Sequence, residues 1–310
     1  MIRIGTRKSK LAMWQTEFVA ARLEQYGLKT VISGMETRGD KILDTSIAKI
    51  GSKGVFTEEL EEQLASGRID IAVHSAKDLQ SILPDDFELI AFTEREMVND
   101  VLISHKPEIS LDNPEKPLII GTSSVRRTAL LKHYYPQAKT VDMRGNLQTR
   151  IKKMTDGTCD ALMLAYAGVK RMGYDQMIIK TFPIADFIPP VGQGCIGVEA
   201  SARLDPAKKE AIRAAVNNQD SEICLLAERA FLRKLEGGCS IPAFGYAVRQ
   251  GDEINLACGL ASLDGGRIIK KTVIGKAAEA AKIGEEAARQ VLQDGGREIL
   301  AEIKRQQAAD

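Results

Sequence analysis

Histidine and tryptophan are scarce in this chain: three of the first (His74, His105, His133) and one of the second, among 310 residues. The histidines are far apart and match no H-E-x-x-H pattern, which leaves little material for a zinc site, so no metal is expected. Five cysteines (Cys159, Cys195, Cys224, Cys239, Cys258) are odd in number and lack C-x-x-C spacing, so neither a disulfide framework nor a cysteine-rich metal site is indicated. No apolar run reaches the length of about 18 residues that a membrane span needs. The start, Met1-Ile-Arg-Ile-Gly-Thr, runs straight into a strand-like pattern with no apolar leader, so a cytoplasmic location is expected. Excess charge is missing too: 43 Lys and Arg nearly cancel 42 Asp and Glu, which argues against general nucleic-acid or anionic-membrane binding. Any anion site must therefore be local.

What is present is an ordinary globular composition, 44% hydrophobic and 27% charged, in a chain long enough for two or three units of about 100 residues each. The first two-thirds alternates short β-branched runs with amphipathic stretches, the pattern of a mainly parallel α/β sheet covered on both faces. Strands are expected at Arg3–Thr6, Thr30–Met35, Ile69–Val73 and Leu89–Thr93, then at Val101–Ser104, Leu118–Gly121, Thr140–Met143 and Ala161–Tyr166. Two similar halves are implied, with helices between, one over Val125–Tyr135. Phe187-Ile-Pro-Pro-Val-Gly-Gln-Gly reads as a crossing or hinge. Beyond about Asn217 come a long helix ending at Leu235-Glu-Gly-Gly, strands around Glu253–Ala261 and Arg267–Val273, and an Ala-rich final helix.

Basic residues recur in Gly/Ser-rich turns at the ends of these elements: Thr6-Arg7-Lys8-Ser9, Lys49-Ile-Gly-Ser-Lys53-Gly, His74-Ser75-Ala-Lys77-Asp78, Gly121-Thr-Ser123-Ser124-Val-Arg126-Arg127 and Arg144-Gly-Asn-Leu-Gln-Thr-Arg150. In an open α/β sheet such loops line the ligand crevice, so the expected ligand is an anion. Arg126 and Arg127 fall in the first turn of a helix, where each positive charge opposes the macrodipole at about 0.3–1 kcal/mol, so they need an anionic ligand or a carboxylate. Ser9 reads as an N-cap. The Lys53 loop departs from G-x-x-x-x-G-K-[ST], which removes a nucleotide assignment. Asp78, after an apolar strand, sits where α/β enzymes carry catalytic carboxylates, or serves as a cap. His74 reads as a buried structural residue, since no G-x-S-x-G elbow accompanies Ser75. Cys239, after Gly237-Gly238, lies on a tight loop, and by itself reads as an inert, partly buried thiol. On these loops alone, a noncatalytic anion-binding protein of two α/β lobes fits almost equally well.

In register along the chain, Gly5-Thr-Arg-Lys-Ser, Arg38-Gly-Asp, Gly51-Ser-Lys-Gly, Ala72-Val-His-Ser-Ala-Lys-Asp, Gly121-Thr-Ser-Ser-Val-Arg-Arg, Arg144-Gly-Asn, Ala167-Gly-Val-Lys-Arg171, Val191-Gly-Gln-Gly and Leu235-Glu-Gly-Gly-Cys-Ser-Ile-Pro together resemble the porphobilinogen deaminases. The resemblance implies two periplasmic-binding-protein-like α/β domains, 1–94 with 195–214 and 99–188, plus a smaller α+β domain, 217–310. It implies a dipyrromethane cofactor bound through a thioether to Cys239. It implies condensation of four porphobilinogen molecules, with loss of ammonia, into a linear tetrapyrrole, with Asp78 as the catalytic carboxylate. Arg7, Ser9, Lys49, Lys53, Ser75, Lys77, Ser123, Ser124, Arg126, Arg127, Arg144, Arg150 and Arg171 become groups that bind carboxylates of substrate and cofactor. Gln15, Gly168 and Gln193 join the cleft. A monomer acting on a small molecule, without nucleic acid or membrane, is expected. Gln80 stands where the family commonly has proline, which implies a looser Asp78 loop. Ser52 replaces a usual glycine, Met97 and Asn99 replace acidic and arginine residues, and Asn218 replaces a histidine.

Overall fold

The computed structural model describes residues 1–37, 57–236 and 240–309. Three sheets organise them. The first contains β1 (Ile2–Arg7), β2 (Thr30–Met35), β3 (Ile71–Ser75), β4 (Phe87–Phe92) and β10 (Ile196–Ser201), in the order β2-β1-β3-β10-β4. The second contains β5 (Asp100–Ile103), β6 (Ile119–Gly121), β7 (Lys139–Val141), β8 (Ala161–Ala165) and β9 (Ile178–Thr181), in the order β7-β6-β8-β5-β9. The third is an antiparallel meander of β11 (Ala243–Gln250), β12 (Glu253–Ala261) and β13 (Ile268–Lys276).

Both five-stranded sheets are mainly parallel, as expected, with one reversed strand in each. In the first sheet β10 runs antiparallel to both of its neighbours, and in the second β5 does the same. The cause is the chain path. Each reversed strand is the one by which the chain arrives from the other sheet, β5 after the crossing at 93–99 and β10 after the crossing at 182–195. Two crossings therefore join the first two sheets.

The helices follow local chemistry. In α1 (Lys10–Gln25) Ser9 Oγ accepts from the Ala12 N–H at 3.4 Å, and Val19 and Leu23 face the sheet core of Ile4, Ile71 and Val198. The segment α2 (Glu58–Ala65) buries Leu60 and Leu64, and α3 (Val125–Tyr134) is capped by Ser124. Next come α4 (Leu147–Thr155), capped by Asn146, and the short α5 (Tyr166–Arg171). After β10, α6 (Pro206–Val216) leads to α7 (Gln219–Lys234), which Asn218 caps by accepting from the Ser221 N–H at 2.9 Å. The expected Ala-rich final helix is two helices, α8 (Ala280–Val291) and α9 (Arg297–Ala309), because Asp294 and Gly295 leave helical geometry between them.

Burial joins the parts. Phe244 and Ala261 of the third sheet belong to the same core as Leu130 of α3 and Phe182 and Phe187 of the second crossing. The α7 helix packs Ala227 and Phe231 against Leu256, Ile283 and Val291. Among the described residues, no helix is long and apolar enough to cross a membrane.

Candidate active site

The parallel strands β3 and β6 both end at the space between the first two sheets. After β3 the chain makes one 3-10 turn, Ala76–Asp78, that leaves Asp78 exposed. The turn is held from three sides. Gln15 of α1 donates through Nε2 to Ser75 Oγ at 2.9 Å. Lys77 Nζ donates to Gln193 Oε1 at 3.1 Å. Gly192, at φ +79°, lies so close that a Cβ there would meet Ala76 C at 2.8 Å and Lys77 N at 2.9 Å, so only glycine lets the crossing pass. His74 is buried, as read from the sequence, with Nε2 2.9 Å from Glu199 Oε2.

After β6 the chain enters α3. Ser123 Oγ donates to Met143 O at 2.7 Å, and Ser124 Oγ accepts from the Arg127 N–H at 3.4 Å. Arg126 and Arg127 are buried, at 3% and 7% exposure, which decides how their charge is met. The carboxylate of Asp100, fully buried, accepts from Arg126 Nη2 at 2.5 Å and from Arg127 Nε and Nη2 at 3.0 and 2.8 Å. Arg126 Nη1 donates to Ile188 O and Arg127 Nη1 to Met163 O, while Arg126 Nε is buried with no hydrogen-bond partner among the described residues. The compensation that the sequence called for thus comes first from within the chain. Burial alone would raise the Asp100 carboxyl; the two guanidiniums overcome it and hold the group well below the usual carboxylate range.

Other cations close the ring. Burial, then the charge of Arg127, pulls Lys77 down to about 8, with Asp78, Asp100 and Arg126 also within range. Burial and then Arg127 likewise lower Arg150, which also feels Asp78, Asp142 and Arg144. Arg150 Nε donates to Gly145 O at 2.7 Å, and Arg144 Nη1 is buried with no hydrogen-bond partner among the described residues. Arg171, lowered by burial, donates to Gly194 O at 2.8 Å and lies over the Trp14 ring at 5.4 Å. Near it a cavity of about 420 Å³ opens between α1 and α5, with Lys8, Trp14 and Arg171 among its walls.

Lys77, Asp78, Arg126, Arg127, Arg144 and Arg150 thus lie within electrostatic reach of one another, and hydrogen bonds tie Gln193 to Lys77 and Gln15 to Ser75. Arg7 ends β1, Ser9 serves its helix as a cap, and Gly168 on α5 would place a Cβ in ordinary contact, 3.7 Å from Leu11. Lys49, Ser52, Lys53 and Cys239 lie outside the described residues. Gln80 does not hang free: its amide donates to Thr57 Oγ1 and Glu61 Oε1 at 3.3 and 3.4 Å, and its carbonyl accepts from Arg229 Nη2 at 2.7 Å. Asn99 Nδ2 donates to Phe182 O at 2.9 Å. The Met97 N–H donates to Glu96 Oε1 at 2.9 Å. Sequence reasoning missed Asp100 and a second buried pair, Arg95 with Glu228, whose Oε2 also accepts from the Gly192 N–H at 2.9 Å. The available signal for Asp100 was an acid opening a strand whose next three residues are Val-Leu-Ile.

A family model described as "Porphobilinogen deaminase, dipyromethane cofactor binding domain" matches residues 2–209, and one described as "Porphobilinogen deaminase, C-terminal domain" matches residues 222–293. The chain is 60% identical to the porphobilinogen deaminase of Desulfosudis oleivorans, covering 99% of each chain. It is 57% identical to that of Cytophaga hutchinsonii, covering 98% of this chain and 97% of the relative. Among solved structures, the periplasmic VFT2 domain of Bordetella pertussis BvgS matches at a TM-score of 0.42 with 15% identity, over 69% of this chain and 86% of that one. Two family models laid end to end along the chain, and relatives alike over nearly its whole length, place it in the porphobilinogen deaminase family.

Proposed function

We propose that the chain condenses four porphobilinogen molecules, with loss of ammonia, into the linear tetrapyrrole hydroxymethylbilane, and that Asp78 and the basic residues around it carry the reaction. The observation that supports this most is the crowding of like charge. Lys77 and Arg150 are each lowered in part by Arg127, a mutual repulsion that a polyacid entering the cleft would relieve. Each pyrrole of substrate and cofactor carries an acetate and a propionate, so the donor set fits the group, and the orphaned Arg144 Nη1 is a donor in search of such an acceptor.

When bound, the dipyrromethane group, attached at Cys239, supplies the nucleophilic pyrrole carbon on which the chain of rings grows. The protein's part is position and charge. Arg144, Arg150 and Arg171 hold carboxylates by charge-assisted hydrogen bonds, with Lys49 and Lys53 assigned the same task. Arg126, Arg127 and Ser124 form a fixed wall. Asp78 presents a carboxylate at the open end of its turn, where it stabilises positive charge on a porphobilinogen losing ammonia and takes up a pyrrole proton at its carboxylate oxygen. We read 1–94 with 195–214, 99–188 and 217–310 as the three units that must keep register during growth, in line with the three separate sheets.

Intact-mass measurement of the folded protein tests the reading. The wild type carries an adduct of two pyrrole units and Cys239→Ala lacks it. An unmodified mass in an active preparation overturns it.

A further inference from the structure

One buried charge in the cleft has no part in binding or chemistry as described. Asp100 is inaccessible to solvent, and besides the two arginines it accepts from Gln193 Nε2 at 3.1 Å. Gln193 is equally inaccessible, donates also to Val98 O at 2.7 Å, and accepts from Lys77 Nζ through Oε1. An unbroken line of hydrogen bonds thus runs from α3 through Asp100 and Gln193 to the residue beside Asp78. It draws on both crossings: Val98 lies on the first, Asp100 opens β5 just after it, and Gln193 lies on the second.

We infer that Asp100 is a positioning residue: its carboxylate, acting through Gln193, fixes the Lys77 ammonium against Asp78 while it holds Arg126 and Arg127 as the opposite wall. A buried ion pair whose only task is stability needs no third partner, and its desolvation cost is seldom recovered by attraction alone. Here the third partner is an amide with both ends used, a rigid spacer between an anion and a cation. The groups that face Lys77 set the sign. Arg127 and Arg126 disfavour the ammonium, while Asp78 and Asp100 favour it. Removing the Asp100 charge leaves the two guanidiniums unbalanced, so Lys77 gives up its proton at lower pH. Removing Gln193 takes away a hydrogen bond to the ammonium and acts in the same direction, more weakly.

The inference rests on the proposed role of the Asp78 cleft, but its test does not require turnover. Lysine acylation by acetic anhydride, read at Lys77 by peptide mass spectrometry across pH, reports the free amine. Asp100→Asn and Gln193→Leu are compared with the wild type, or with Cys239→Ala where a variant fails to form the adduct, so that bound carboxylates are matched. Labelling of Lys77 at pH 7 is expected to rise about fivefold in Asp100→Asn and about twofold in Gln193→Leu. Should Asp100→Asn not fold, Gln193→Leu, which keeps both arginine pairs, decides. Labelling equal to the reference in the folded variants overturns the inference, even if both are less stable. A wild type without the two-pyrrole adduct sinks the proposed function instead and leaves the labelling result standing.

Discussion

At the end of β3 the chain turns once and leaves Asp78 in the open, whereas at the end of β6 it enters a ten-residue helix whose first-turn arginines are buried on Asp100. Both tips follow a parallel strand and lie within electrostatic reach of each other. The first keeps its charge available, and the second has half of its charge balanced by one carboxylate before any ligand arrives. A helix N-terminus bearing two guanidiniums is unfavourable by its dipole, and a carboxylate imported on the crossing strand β5 removes that conflict. In the proposed reading the cations that meet a polyacid are Arg150, on a carbonyl, and Arg144, with one orphaned nitrogen.

The sharpest break in this contrast is between activity and stability. Asp78→Ala is expected to lower porphobilinogen turnover by about 10²- to 10⁴-fold with its melting curve unchanged. Near wild-type rates would take Asp78 out of the reaction. Arg127→Leu leaves Asp100 short of a partner in a site closed to water, so unfolding free energy is expected to fall by about 3–5 kcal/mol. Arg150→Leu should leave denaturant unfolding nearly untouched while it weakens turnover. Equal destabilisation of the two arginine variants would erase the distinction between wall and grip.

The exposed tip was readable in the sequence and the buried one only in half. The strand before Asp78, the Ser9 cap and the helix expected over Val125–Tyr135, which ends at Tyr134, are local patterns, decided by neighbours within one or two turns. Asp100 and Glu228 look like surface acids when read along the chain, because their partners lie 26 or 27 and 133 residues away. The reversed strands β5 and β10 were hidden for the same reason, since direction in a sheet depends on the path between the sheets. The missed β11 starts just after Ile241-Pro242 and carries Gly245, signals that read as a turn. The cofactor was legible through the resemblance, which also supplies the carboxylate-binding roles proposed above; residue types alone also admitted a simple anion binder.

Lys77 offers a finer test of how closely the two tips approach. Its amine, lowered to about 8 by burial and then by Arg127, binds fewer protons in the folded than in the unfolded chain between that value and the ordinary 10.5. Stability therefore rises with pH across this window, as the penalty on the ammonium disappears. Chemical denaturation of the wild type and Lys77→Met, from pH 7 to pH 10.5, should show the wild type gaining on the variant as pH increases. A constant difference would place the ammonium in ordinary solvent, far from the arginine wall.

The smallest effect expected concerns Gln80, which replaces the family's common proline on the loop just after Asp78. Proline would restrict the backbone by its ring, whereas glutamine here relies on two long hydrogen bonds, to Thr57 and Glu61, and on Arg229 grasping its carbonyl. Gln80→Ala removes the first two and keeps the third, so a loss of about 0.5–1.5 kcal/mol is expected, with turnover lowered less than in any variant above. Arg229→Ala should add to it, because it frees the carbonyl that the glutamine variant leaves anchored. A double variant no less stable than Gln80→Ala would mean that the Asp78 turn is held from the Gln15 and Gly192 side alone.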